Sequence, residues 1–315
     1  MRRREFITLV GCAAAWPCSA RAQQGRVLPV IGFLHPGFLT YPGGGGTNII
    51  LTALEQGLRE GGYVSGETVR IEARWAQGKT ETLTELAQEL VGLKVDVLVA
   101  VARLSIEAAK SATKELPIVA FDLESDPVAA GFIAGWSAPG GNITGLFLDQ
   151  PGITGKWLQL IKEVVPNAAH LAVLWDTTTG EHQLRALSTA AKAQSIELEV
   201  IKFADYATMQ GALDAAALRA APQVAEIVAR YRIPAISPFR AFPDRGGLMS
   251  YGPVLPQWEI RVGHLVASIL KGAKPATLPL EQPINFELVV NAKAAGAIGI
   301  AIPQALLVRA DEVIE

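Results

Sequence analysis

Beyond its twenty-second residue this chain contains no cysteine. Both cysteines, Cys12 and Cys18, stand near the start, so residues 23–315 form no disulfide, no sulfur-ligated metal site and no thiolate nucleophile. Histidine is nearly as scarce, with His35, His170, His182 and His264 the only four. None falls in the His-Glu-x-x-His spacing by which one helix face grips a metal. The Gly-x-Ser-x-Gly turn of serine hydrolases is also missing. No apolar run reaches the ~20 residues that a membrane-crossing helix needs. Basic excess is missing too: the formal net charge is −2, and residues 1–22 hold four arginines against one glutamate, which leaves −5 for the rest. A nucleic-acid partner is therefore not expected.

Glycine is present in one conspicuous run, Gly43 to Gly46, ahead of a helical pattern. A glycine-rich turn feeding a helix can cradle phosphate, because bare backbone N–H groups and the positive end of the helix converge there. The dinucleotide fingerprint would need a third glycine where Asn48 stands. A second candidate, Gly78-Lys79-Thr80, ends like a P-loop but has Ala73 for its first glycine and Trp75 inside the cradle. No nucleotide and no other cofactor is expected, and the four glycines read as a lip at the start of the first helix.

The first residues, MRRREFITLVGCAAAWPCSARAQQ, set arginines before a short apolar stretch and end it in Ala20-Arg21-Ala22. That is the order of a bacterial export signal, with cleavage expected near Ala22. Arg3-Arg4-Glu5-Phe6 resembles the twin-arginine variant. Leu9 to Cys12 resembles a lipoprotein site, but too few apolar residues precede it. The expected location is the periplasm, away from cytosolic nucleotide pools. The remaining chain of about 290 residues, drawn from a sequence that is 50% hydrophobic, can fill two cores.

Nearly continuous apolar runs recur between amphipathic segments: LPVIGFL, VRIEARW, VDVLVAV, LPIVAF and NITGLFL in the first half. Strands covered on both faces by crossover helices read this way, which predicts a parallel α/β sheet. Helical patterns fall near 48–61, 80–92, 105–114 and 127–136. The order then restarts with helix 155–165, strand HLAVLW, helix 181–194, strand IELEVIKF, helices 207–220 and 223–231, strands IPAIS and GLMSYG, helix 258–271, and a final strand and helix in FELVVNAKAAGAIG. Two units of similar plan predict two Rossmann-like lobes with a ligand cleft between them. The expected division is an N-terminal lobe over 27–150 with a returning segment near 253–285, and a C-terminal lobe over 151–252 with a return near 286–315. The second unit lacks a counterpart of VDVLVAV, so its sheet is expected to miss one interior strand, leaving a gap unless AAALRAA is recruited or the sheet closes up.

RIEARWAQGKTETLTELAQELVGLKVDVLVAV, KELPIVAFDLESDPVAAGFIAGWSAPGGNITG and GGLMSYGP, in that order, resemble the substrate-binding proteins of ABC transporters, in particular the tryptophan/tyrosine-type or sugar-type members. The resemblance spans residues 27–315. It implies a type I periplasmic-binding fold whose two lobes close on a small molecule through a hinge, and an ABC permease in the inner membrane as partner. It also implies a monomer that is not an enzyme. Two departures stand out. Small residues of the type Gly-Gly-Thr usually follow the strand matching VDVLVA, whereas Val101-Ala102-Arg103-Leu104 follow here. The second is the absent strand.

Ligands of open α/β sheets sit beyond the carboxyl ends of the strands. The residues there are His35, Arg103, Ser105, Glu124, Asp126, Asp176, Phe239, Arg240 and Tyr251, with Asp122, Ser125, Thr177 and Ser250 beside them. Glu124, Asp126 and Asp176 facing Arg103 and Arg240 would suit a zwitterion such as an amino acid, carboxylates taking the ammonium and guanidiniums the carboxylate. Each has a plainer reading: Asp126 before Pro127 caps a helix start, and the arginines are solvated surface. An exported enzyme, or a sensing module that reports to a receptor, remains an alternative on the same architecture.

Overall fold

The computed structural model describes residues 28–37, 39, 49–148, 152–177, 181–203 and 232–315. The glycine run, the export signal, and the expected helices at 207–220 and 223–231 with AAALRAA lie outside the described residues.

In the first lobe, β1 (Val30–His35), α1 (Ile49–Glu60), β2 (Arg70–Trp75), α2 (Leu83–Gly92), β3 (Val97–Val101), α3 (Arg103–Ala112), β4 (Ile118–Asp122) and β5 (Ile143–Phe147) follow in turn. The strands form one all-parallel sheet in the order β2-β1-β3-β4-β5. Every residue of β3, β4 and β5 is buried, because helices cover both faces. Leu90, Ile106, Ile118 and Phe147 share the core on one face, and Phe33, Leu54, Val99 and Val262 the core on the other.

Residues 127–136 do not form the expected helix. They fold as turns, in which Phe132 N–H reaches back to Pro127 O at 2.9 Å. The proline start and glycine end imitate helix caps. Gly131, at φ +67°, reverses the chain after a single turn and turns Phe132 and Ile133 into the core.

The second lobe follows with α4 (Gly152–Val164), β6 (His170–Asp176), α5 (His182–Ala193), β7 (Glu197–Phe203), β8 (Ile236–Ser237), the short α6 (Ala241–Asp244), β9 (Met249–Pro253), α7 (Leu255–Leu270), β10 (Phe286–Asn291), α8 (Ala292–Ile298), α9 (Gln304–Arg309) and β11 (Glu312–Ile314). Strands β6 and β7 pair in parallel, and a separate sheet runs β11-β10-β9-β8 with β10 antiparallel to β9. Among the described residues no strand pairs with the free edge of β6 or with that of β8. The equivalent of β3 belongs between them. None of the seven residues of β6 is buried, against five of six in β1; among the described residues β6 pairs along one edge alone, with β7.

Helix α7 leaves the second lobe and packs on α1 and on the first sheet. The crossing is close because Gly57 and Gly263 face each other: a Cβ on Gly57 would stand 2.0 Å from Ile260 O, and one on Gly263 2.5 Å from Leu54 O. Strands β10 and β11 return to the second lobe. Among the described residues no helix is long and apolar enough to cross a membrane.

Candidate functional site

The sheet order sets the residues at its carboxyl edge side by side. Trp75 ends β2, His35 ends β1, Ala102 and Arg103 follow β3, and Asp122 ends β4, at about 4.8 Å per strand. His35 is buried against Trp75, ring centroids 4.9 Å apart, and its Nδ1 accepts the Gly37 N–H at 2.8 Å. Burial pushes its pKa down to about 4, so the ring is neutral at neutral pH with its proton on Nε2.

Ala102 departs from ordinary backbone geometry. With φ 62° and ψ 158° it occupies a region that is open essentially to glycine alone, and its N–H bonds to Phe121 O at 2.9 Å. This is the point where the resemblance leads one to expect Gly-Gly-Thr. Arg103 then opens α3, its Nε ion-paired to Glu107 at 2.9 Å and its charge acting on Asp122. Ser105, one turn into α3, is fully buried, and its hydroxyl has no hydrogen-bond partner.

The loop after β4 carries the densest chemistry. Asp122 is 1% exposed, and its Oδ1 accepts the Glu124 N–H at 3.0 Å. Burial pushes the Asp122 carboxyl upward, offset in part by the Ser125 hydroxyl, then by the N–H groups of Glu124 and Ser125 and by Arg103. Half-buried Glu124 is pushed up to about 8, first by burial and then by the negative charges of Asp122 and of Asp176 from the second lobe. Ser125 is buried beside them, its hydroxyl directed to the Asp122 carboxyl. From the first turn of α5, Gln183 donates to Leu123 O at 3.0 Å and Leu148 O at 3.3 Å, so a neutral amide clamps the two lobes next to the carboxyl groups.

The structure thus brings Arg103, Asp122, Glu124 and Asp176 together and engages the other candidates elsewhere. Asp126 Oδ1 accepts the N–H groups of Val128 at 2.9 Å and Ala129 at 3.0 Å, so it caps the turn that stands in place of the expected helix. Arg240 ion-pairs with Glu312 at 2.6 Å, Glu287 at 3.3 Å and Asp244 at 3.5 Å, which ties α6 to β10 and β11. Phe239 is exposed beside it, its N–H on Ser237 Oγ. Tyr251 stacks on Phe286 at 5.8 Å, and its carbonyl takes the Trp157 indole N–H at 2.7 Å. Burial and the Asp311 charge push its phenol upward. Gln183 was not among the expected residues; its position on the first helical turn after β6 is the signal that would have found it. Asp122 stood in the wider set but outranks several named candidates.

The family model described as "ABC transporter substrate binding protein" matches residues 44–314. A tyrosine-binding protein of Clostridioides difficile (strain R20291) is 25% identical over 250 residues, which cover 74% of this chain and 72% of that protein. Among solved structures, an ABC domain from Streptococcus pneumonia in complex with L-Trp superposes with a TM-score of 0.80 at 23% identity, over 91% of this chain and 100% of that one. A conserved domain protein from Vibrio cholerae superposes at 0.77 and 27% identity, over 90% and 99%. These neighbours share the two-lobed α/β architecture built here from β1–β11, and the chain belongs to the ABC transporter substrate binding protein family.

Proposed function

We propose that this protein is the periplasmic solute-binding component of an ABC importer, a monomer that closes its two lobes over an amino acid or a similar carboxylate. One observation carries the reading: charged groups from both lobes, Arg103, Asp122 and Glu124 from the first and Asp176 from the second, converge at the carboxyl ends of β3, β4 and β6. Solute bridging them favours the closed arrangement by its extra contacts there. The chain passes between lobes after β5 and after β9, places where small backbone rotations suffice for closure. The permease in the inner membrane reads the closed form.

The ligands named for two similar proteins, tyrosine and L-Trp, support an amino acid with an aromatic side chain, and the His35–Trp75 pair at the same edge offers it a π-face. Isothermal titration against the twenty amino acids is the test, with small-angle scattering in parallel. Binding of at least one, accompanied by compaction, is the expected result; chemical conversion of the bound solute would instead make the protein an enzyme.

A further inference from the structure

Resting on that reading, we infer that Gln183 is a positioning residue for solute binding: it latches the second lobe onto the carboxyl edge of the first sheet, and so sets how long a bound solute stays. The residue is out of place by its type. It lies on the buried stripe of α5 with Leu184, Leu187 and Ala191, where an amphipathic helix carries apolar side chains. It is 5% exposed, and an amide so buried needs partners.

Its partners come from the other lobe. The β4–β5 ladder closes with Leu148 N–H on Asp122 O at 3.0 Å. The next rung of a parallel pair would take Glu124 N–H to Leu148 O, but that N–H turns back onto Asp122 Oδ1 at 3.0 Å. The carbonyls of Leu123 and Leu148 thus stand beyond the last rung, and Gln183 Nε2 donates to both, at 3.0 Å and 3.3 Å. An amide nitrogen carries two N–H donors, so both are occupied by backbone and none is left for a solute.

Donor and acceptors all belong to this chain, so the contact forms whenever the lobes come together and distinguishes no solute from another. Hydrogen bonds weaken steeply with distance and angle, so rotation about the crossings after β5 and β9 parts them and gives the amide and both carbonyls to water. Two such bonds shift the ratio of closed to open forms about tenfold. A latch made only on closing adds that factor to the affinity of every solute alike, and it acts on release instead of entry.

Gln183→Met keeps the length of the side chain and removes both donors. With L-tryptophan and L-tyrosine as probes on the full chain, stopped-flow fluorescence is expected to show dissociation about tenfold faster in the variant, association within twofold, and Kd about tenfold weaker. The ratio of the two affinities is expected to hold, which separates a latch from a side chain that touches solute. Spin labels give a second readout. In the full chain with Cys12→Ser and Cys18→Ser, Lys79→Cys beyond β2 and Arg245→Cys at the end of α6 are both exposed. Double electron–electron resonance without added solute is expected to show a minor, shorter distance, which each bound probe enlarges and Gln183→Met reduces about tenfold. Unchanged dissociation in Gln183→Met, or a changed affinity ratio, overturns the latch and leaves solute binding standing. Where the variant does not fold or neither probe binds, the shorter distance in the unmodified protein decides: its presence supports the latch and its absence overturns it. One distance alone, unmoved by any of the twenty amino acids, overturns both readings.

Discussion

Ala102 holds a conformation that costs an alanine about 1–3 kcal/mol, at the step from β3 into α3 that delivers Arg103 to the cleft. Replacing it by glycine removes the Cβ that makes φ 62° costly, and gives back about 0.5–1 kcal/mol through the more flexible unfolded chain. Ala102→Gly is therefore expected to stabilise by about 1 kcal/mol, read as a higher urea midpoint, whereas Ala102→Val should destabilise. Buried carboxyls make a second prediction. Glu124 and Glu259, the latter on α7 with its pKa pushed up to about 7 by burial, bind protons more tightly folded than unfolded. Such groups stabilise fully below the ordinary carboxylate pKa, and the contribution fades as pH climbs through the folded value. His35, lowered to about 4, acts only below its ordinary 6.5. Between pH 6.5 and 8 the carboxyls are left, so the melting temperature of the unliganded protein should fall across that window, and Glu124→Gln should flatten the fall. None of this was visible in the string Phe121-Asp122-Leu123-Glu124. The positions after strands follow from periodicity, but whether a carboxyl is buried depends on residues brought in by β6 and α5.

Among the elements, the two glycines where α7 crosses α1 define a contact with no slack. Gly263→Ala places a methyl group 2.5 Å from Leu54 O, and backbone cannot swing aside as a side chain does, so the expected cost is about 1–3 kcal/mol at the upper end, measurable by chemical denaturation. Arg240→Ala cuts three exposed or half-exposed ion pairs between α6, β10 and β11. It should cost about 1 kcal/mol or less while changing solute affinity under twofold. The parallel strands of the first lobe were legible because a strand sandwiched between helix layers must be apolar along its whole length. Residues 127–136 were misread because proline and glycine mark a lone turn as readily as a helix. The partners of Arg240 lie 47 and 72 residues away at Glu287 and Glu312, a distance that no local pattern encodes, and β11 is three residues long, too short to show a period.

At the scale of the molecule, the proposed closure joins Asp176 to Asp122 and Glu124 through the solute, so ligand should slow amide exchange most at the β4 and β6 carboxyl ends and little at α1 or α2. Among the described residues no strand links β6 to β8, and this adds an asymmetry of its own. The sheet of β8–β11 is bound to the first lobe through α7, which runs on from β9 and buries its apolar face there, while the β6–β7 ribbon and α5 share a separate small core, Leu187, Ala191 and Ile196, with Leu158 of α4. Heated slowly in a scanning calorimeter, the protein should therefore give two endotherms instead of one: the ribbon is lost first, and the remainder persists to a higher temperature as a single cooperative block.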